Sequence, residues 1–104
     1  MKISQKDYYH IPLEQRNRMY EIEDWGTFYW VNGKRHREDG PAYQSIDGYK
    51  SYYINGKLHR LDGPAAEWDG DGDKYYYIEN NRYLVKEEFE AAAYLYNNGL
   101  QDYL

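Results

Sequence analysis

The chain reads as a mostly β protein of α+β type: an antiparallel meander of repeated β-hairpins, capped by one C-terminal helix. Three observations predict this. First, residues 30–42 read W-V-N-G-K-R-H-R-E-D-G-P-A and residues 53–65 read Y-I-N-G-K-L-H-R-L-D-G-P-A, in register at an offset of 55 − 32 = 23 residues. Second, an aromatic or β-branched run precedes each Asn-Gly. Third, an alanine-rich amphipathic stretch follows the last copy. A fixed period of about 20–50 residues marks one supersecondary unit used several times, each copy burying its neighbour's face. The whole chain, 1–104, is read as one domain, with an N-terminal segment over 1–20, hairpin repeats over 21–84 and a capping helix over 85–99.

The elements follow in order. In the N-terminal segment, Ile11 to Tyr20 is read as one short helix with Pro12 near its first turn. In the repeats, Phe28-Tyr29-Trp30-Val31, Ser51-Tyr52-Tyr53-Ile54 and Tyr75-Tyr76-Tyr77-Ile78 suit pleated, half-buried strands. Asn32-Gly33 and Asn55-Gly56 close the first two hairpins, because both central positions of a type I′ turn need φ > 0. Asp39-Gly40-Pro41-Ala42 and Asp62-Gly63-Pro64-Ala65 mark a second turn. Its Gly is expected in a conformation that a larger residue resists, and its Pro suits the start of a returning strand.

A decayed third copy lies near 78–84. Asn80-Asn81-Arg82 is placed on Asn55-Gly56-Lys57, an offset of 80 − 55 = 25, with the extra pair absorbed in Asp69-Gly70-Asp71-Gly72-Asp73. A degenerate first unit is read around Glu23-Asp24-Trp25-Gly26, which precedes its strand as Ile46-Asp47-Gly48-Tyr49 precedes the next. This alignment stacks Trp30, Tyr53 and Ile78 in one column. Phe28, Ser51 and Tyr76 lie on the same face, and Tyr29, Tyr52 and Tyr77 on the opposite one. One face is expected to pack on the terminal helix and the other to stay open. That helix runs from Lys86 to Asn97, with Val85, Phe89, Ala92, Ala93 and Tyr96 as its apolar stripe and Gly99 near its stop.

Composition bounds the function. Tyrosine is the odd term, at 15 residues, and it builds either a half-wet core or a contact surface. Without Cys there is no disulfide framework and no thiolate metal site. Residues 1–7 lack the apolar stretch of a secretory signal, and no run reaches transmembrane length, so a cytoplasmic location is expected. A net charge of −5 disfavours direct contact with nucleic acid or an anionic membrane and suits a basic protein partner.

Candidate chemistry is sparse. His36-Arg37 and His59-Arg60 have the residue types of a base or a metal ligand. Each sits beside its own Asp, Asp39 or Asp62, so a structural turn is the expected role. The alternating acids Asp69, Asp71 and Asp73 resemble half of a calcium loop, but the position that would carry its closing Glu is Asn80. A solvated turn is expected there. No catalytic residue, cofactor or metal is assigned. The residues picked out for protein binding are the acidic patch Glu21, Glu23 and Asp24, the acidic loop Asp69, Asp71 and Asp73, and the Tyr29/Tyr52 column. Open sheet edges leave room for a homodimer.

The phrase Tyr-x-Asn-Gly-Lys-x-His-Arg-x-Asp-Gly-Pro-Ala resembles a MORN-like hairpin repeat of small proteins from bacteriophages and large DNA viruses. The resemblance is close over Trp30–Ala42 and Tyr53–Ala65, looser over about residues 20–90, and absent from the N-terminal twenty. It implies a scaffold used for binding and carries over neither lipid binding nor catalysis. In a small acidic chain it implies a phage protein that binds and blocks a host protein in the host cytoplasm. A bacterial defence enzyme such as a CRISPR effector is the leading class of target. A structural or self-assembling virion module is the alternative, and an enzyme of unrecognised type using His36 and His59 is the remote one.

Overall fold

The repeated aromatic runs become the long strands of one sheet. A computed structural model of the chain describes residues 2–103. The strands are β1 (Lys2–Ile3), β2 (Met19–Ile22), β3 (Gly26–Val31), β4 (Lys34–Arg35), β5 (Tyr43–Ser45), β6 (Tyr49–Ser51), β7 (Tyr53–Ile54), β8 (Lys57–Leu58), β9 (Ala66–Trp68), β10 (Lys74–Ile78) and β11 (Asn81–Tyr83). The main sheet runs β1-β2-β3-β5-β6-β9-β10-β11, with β4 folded onto β3 and β7 paired with β8. Among the described residues only β1 against β2 is parallel; the other pairings are antiparallel. The mostly β class, the hairpin repeat and the C-terminal helix are therefore as the sequence predicts.

The N-terminal helix lies elsewhere than expected. It is α1 (Gln5–Tyr9), started by Ser4, whose hydroxyl accepts the Asp7 N–H at 3.0 Å. Pro12 opens only a 3₁₀ turn, Leu13–Gln15, and Met19–Ile22 is a strand. The C-terminal helix α2 (Lys86–Asn97) has the predicted bounds, and Gly99, at φ +70°, ends it. A 3₁₀ turn, Gln101–Tyr103, follows it, and Leu104 lies outside the described residues. Among the described residues no helix is long and apolar enough to cross a membrane.

The third copy is shifted by one residue from the sequence alignment. Its turn is Glu79-Asn80, at φ +46° and +68°, not Asn80-Asn81. Ile78 faces Asn81 across it, as Ile54 faces Lys57 and Val31 faces Lys34. The offset is thus 79 − 55 = 24, and a one-residue slip turns every side chain to the other face. The true columns are Phe28/Ser51/Tyr75 and Trp30/Tyr53/Tyr77 on one face, and Tyr29/Tyr52/Tyr76 and Val31/Ile54/Ile78 on the other. The burial of Ile78, only 2% exposed under α2, holds this register.

Cross-strand partners define the two faces. Tyr20, Phe28, Tyr43, Ser51, Ala66 and Tyr75 pair in one row, and Glu21, Thr27, Gln44, Lys50, Glu67 and Lys74 in the alternate row. We name these the aromatic face and the polar face. The N-terminal segment covers one end of the aromatic face, where Tyr8, Ile22, Phe28 and Trp30 are buried. Arg16 closes this core, its guanidinium 4.3 Å from the Tyr8 ring centre and 4.9 Å from that of Trp30. The helix α2 covers the far end of the polar face, where Phe89, Ala92 and Ala93 bury Ile78. The expectation of one covered and one open face is therefore corrected: each face is covered at one end and open at the other. The molecule measures 44 × 32 × 19 Å, so it is a thin slab with two small cores rather than one central core.

The sheet also stops partway through copy three. The Tyr29 and Tyr52 N–H groups donate to the carbonyls of Ala42 and Ala65, in the segments leading into β5 and β9. By the alternation of an antiparallel ladder, Thr27 and Lys50 point their N–H and C=O the same way. Lys74 holds the equivalent place in β10, and among the described residues no strand pairs with it on that side.

Candidate protein-binding surface

The Arg, Asp, Gly, Pro and Ala of the repeated phrase work together in one turn. The Arg37 guanidinium lies 4.1 Å from the Tyr29 ring centre, and Arg60 lies 4.1 Å from that of Tyr52. Arg37 Nε donates to Asp39 Oδ1 at 2.9 Å and its Nη1 to the Pro41 carbonyl at 3.3 Å. Arg60 repeats this with Asp62 and the Pro64 carbonyl, at 2.9 and 3.1 Å. The hydrogen bond from Arg37, then its charge, holds the Asp39 carboxyl below the usual carboxylate range. Gly40 and Gly63 are not at positive φ, contrary to the expectation of a special backbone conformation. A Cβ there would come within 3.0 and 2.9 Å of the Arg37 and Arg60 Cζ atoms. Glycine leaves room for the guanidinium to lie close against the turn. Ala42 and Ala65 are fully buried beneath the turn, where a larger side chain has no room.

The histidines join one copy to the next. His36 Nδ1 accepts the Asn55 N–H at 2.9 Å, and His59 Nδ1 accepts the Glu79 N–H at 3.1 Å. Asn17 Oδ1 does the same for Asn32, at 2.9 Å. Beside each bond a carbonyl takes the second turn residue: Arg16 from Gly33, Arg35 from Gly56 and Leu58 from Asn80. Residues 16–22 are therefore the degenerate first half-unit, and Asn17 stands where the later copies have His. Nothing in the sequence marked Asn17, because the shared property is an acceptor atom and not a residue type.

An accepting Nδ1 requires a neutral ring. Burial, outweighing the nearby Glu79 charge, pushes the His59 pKa below its ordinary 6.5. The folded chain then binds fewer protons than the unfolded one, so the stabilisation is complete above pH 6.5 and declines as pH falls below it. His59→Asn, which keeps an acceptor as at Asn17, is expected to leave Tm near that of the parent at pH 8. It is expected to flatten the fall in Tm below pH 6.5. Thermal melts of both proteins across pH 4–8 check this. Equal acid sensitivity would remove His59 as the cause.

The sequence-picked acids come together with one that the sequence reading did not single out. Glu23 and Asp24 lie in the β2–β3 turn, and Asp69, Asp71 and Asp73 in the β9–β10 turn; all are exposed. The β5–β6 turn between them carries Asp47. Backbone bonds tie the three turns side by side, Ile46 N–H to the Trp25 carbonyl at 2.8 Å and Asp69 N–H to the Gly48 carbonyl at 2.9 Å. They form one acidic rim along one end of the strands, with Lys50 3.4 Å from Asp69 as its nearest counter-charge. Glu21 is separate, half-buried on the polar face. Among the described residues no group of three or more His, Cys, Asp or Glu is placed to hold a metal ion.

Tyr29 and Tyr52 share the polar face and are half-buried beneath their arginines. The wider open aromatic area is on the other face. There, ring contacts continue out of the N-terminal core: Phe28–Tyr43 at 4.2 Å, Tyr43–Tyr49 at 6.0 Å and Tyr49–Trp68 at 5.2 Å. Trp68 is 42% exposed, and the buried Ser51 and Ala66 give a small-residue floor beside it. Burial, then the neighbouring Tyr53, raises the Tyr49 phenol pKa, with Tyr77 and Tyr43 adding to the rise. Tyr49 thus stands among several phenols. The alternation of residues along the strands was the available signal for this face, but the one-residue slip in copy three hid Tyr75 and Tyr77. Comparison with protein-family models, curated proteins and solved structures finds no match.

Proposed function

We propose that this chain is a non-catalytic binding protein that occludes a basic site on another protein, as a phage-encoded inhibitor of a host defence enzyme does. One observation carries the reading: the acidic rim runs along the end of the strands that display Tyr49 and Trp68. Aromatic anchors beside charge of one sign suit a partner surface with a hydrophobic patch and Lys or Arg around it. The resemblance to viral hairpin repeats supports the host-inhibitor class. The histidines support a binding role over a catalytic one, since Nδ1 of both His36 and His59 is taken up by the next turn.

The test is affinity capture from bacterial lysate at low and high salt, alongside a variant carrying Glu23→Gln, Asp24→Asn, Asp69→Asn, Asp71→Asn and Asp73→Asn. The expected result is one stoichiometric partner, weakened by salt and held at least roughly tenfold less tightly by the variant. Full-strength capture by the variant would sink the proposal. The unpaired edge at Lys74 favours a second reading, a module that self-assembles by sheet pairing. Recovery of the bait alone, with a mass that grows with concentration, would move the conclusion there.

A further inference from the structure

The repeat builds two equivalent grooves on the polar face, and the chain's own helix fills one of them. Between copies two and three the floor is Tyr76 and Ile78, and Leu61 forms the wall. Phe89 of α2 seats there, its ring centre 4.8 Å from that of Tyr76, while Tyr96 packs 5.2 Å from the His59 ring centre. One repeat earlier, Tyr52 and Ile54 form the same floor and Glu38 stands in the place of Leu61. This groove is open, with a volume of about 500 Å³. The two floors are two strands apart through β9, about 9.5 Å at ~4.8 Å per strand. Packed helices lie about 8–10 Å apart. A second helix in the open groove would therefore lie alongside α2 at ordinary packing distance.

The differences between the grooves identify the occupant. Glu38 replaces an apolar wall with an exposed carboxylate, whose near neighbour is Nε2 of the His36 ring, 3.5 Å away. Asp39 and Asp62 lie nearby, each already paired with its own arginine at 2.9 Å, so Glu38 is the groove's acid without an arginine partner. Arg60 stacks on Tyr52, whereas copy three has the outward Leu84 at the matching place. A second copy of α2 is a poor fit, because it would bring Glu87, Glu88 and Glu90 against Glu38.

We propose that the groove over Tyr52 and Ile54 takes an amphipathic helix of a partner protein. That helix carries an aromatic or aliphatic anchor and a Lys or Arg facing Glu38. This is a second contact surface, separate from the acidic rim, and it stands whether or not the rim binds.

Two synthetic helical peptides test it against the full chain labelled for NMR. One has the sequence of residues 86–97, and the other adds Glu87→Lys, Glu88→Lys and Glu90→Lys. The basic peptide is expected to saturate, with shifts centred on Glu38, Tyr52 and Ile54, and to bind roughly tenfold or more tightly than the acidic one. Glu38→Lys, an exposed change that leaves the fold intact, is expected to remove that preference. Four results would each overturn the proposal: no saturable binding, shifts centred on the acidic rim, shifts centred on Tyr76 and Phe89, or an affinity indifferent to Glu38→Lys. The first, third and fourth leave capture through the rim untouched, and the lysate experiment reads that separately.

Discussion

Gly26→Ala is expected to destabilise the protein by roughly 3 kcal/mol or more. At about 4–8 °C per kcal/mol for a domain of this size, Tm should fall by roughly 12 °C or more. Gly26 opens β3 at φ +144°, a region that L side chains rarely adopt. An added Cβ would overlap the Gln44 carbonyl oxygen and lie 2.8 Å from Ser45 Cα. Both are backbone atoms of the adjoining strand, so no rotamer change relieves the clash. Relief requires β3 and β5 to part where Gly26 pairs with Ser45. The same glycine faces Ile22 in β2, beside the buried N-terminal core, so the damage reaches three strands. Thermal and urea denaturation read the effect, and a variant within about 1 kcal/mol of the parent would contradict this strand pairing.

Phe89→Ala is expected to cost about 3–5 kcal/mol, the usual range for emptying a buried aromatic site. Phe89 is 3% exposed and touches Tyr76 and Tyr83 on one hairpin while sharing a cluster with Ile78. The side chains around it come from a thin slab, so the cavity opens to water instead of collapsing. Because the two cores sit at opposite ends and on opposite faces, the loss should be local. Hydrogen exchange should show β10, β11 and α2 losing protection first, with β2 and β3 retaining theirs. Equal loss across both ends would show one cooperative unit in place of two linked cores.

Much of this architecture was legible in the sequence because the chain repeats itself. Asn32-Gly33 and Asn55-Gly56 announce their turns through backbone sterics, and Phe89, Ala92 and Ala93 announce the inner face of α2 through helical spacing. These signals are local. The register of the third hairpin is hidden because Asn80 and Asn81 both tolerate φ > 0, and the choice rests on the burial of Ile78 under α2 and on the docking of Glu79 and Asn80 onto His59 and Leu58. The histidines resisted interpretation for a related reason. Their partners, Asn55 and Glu79, lie in the following copy, and the shared acceptor geometry includes Asn17, which is no histidine at all.

The candidate surface divides in the same way. Exposed acids in Glu23-Asp24 and in Asp69-Gly70-Asp71-Gly72-Asp73 are visible in the sequence. Their alignment on one rim through Asp47 depends on strand order. The Tyr29/Tyr52 column was found as a column, but the arginines stacked on it are a three-dimensional fact. The open area around Tyr49 and Trp68 follows from which face the N-terminal segment covers, and no periodicity records that choice.

The junction between copies has a consequence for how such a chain changes length. Each hairpin docks on a histidine, or on Asn17, supplied by the segment before it, and the first two present an equivalent socket to the next. The unit is thus self-templating, and the caps alone decide where the series begins and ends. Every added copy inserts two strands and carries the caps about 9.5 Å further apart, at ~4.8 Å per strand. Copy number therefore works as a ruler, with steps close to the width of one packed helix.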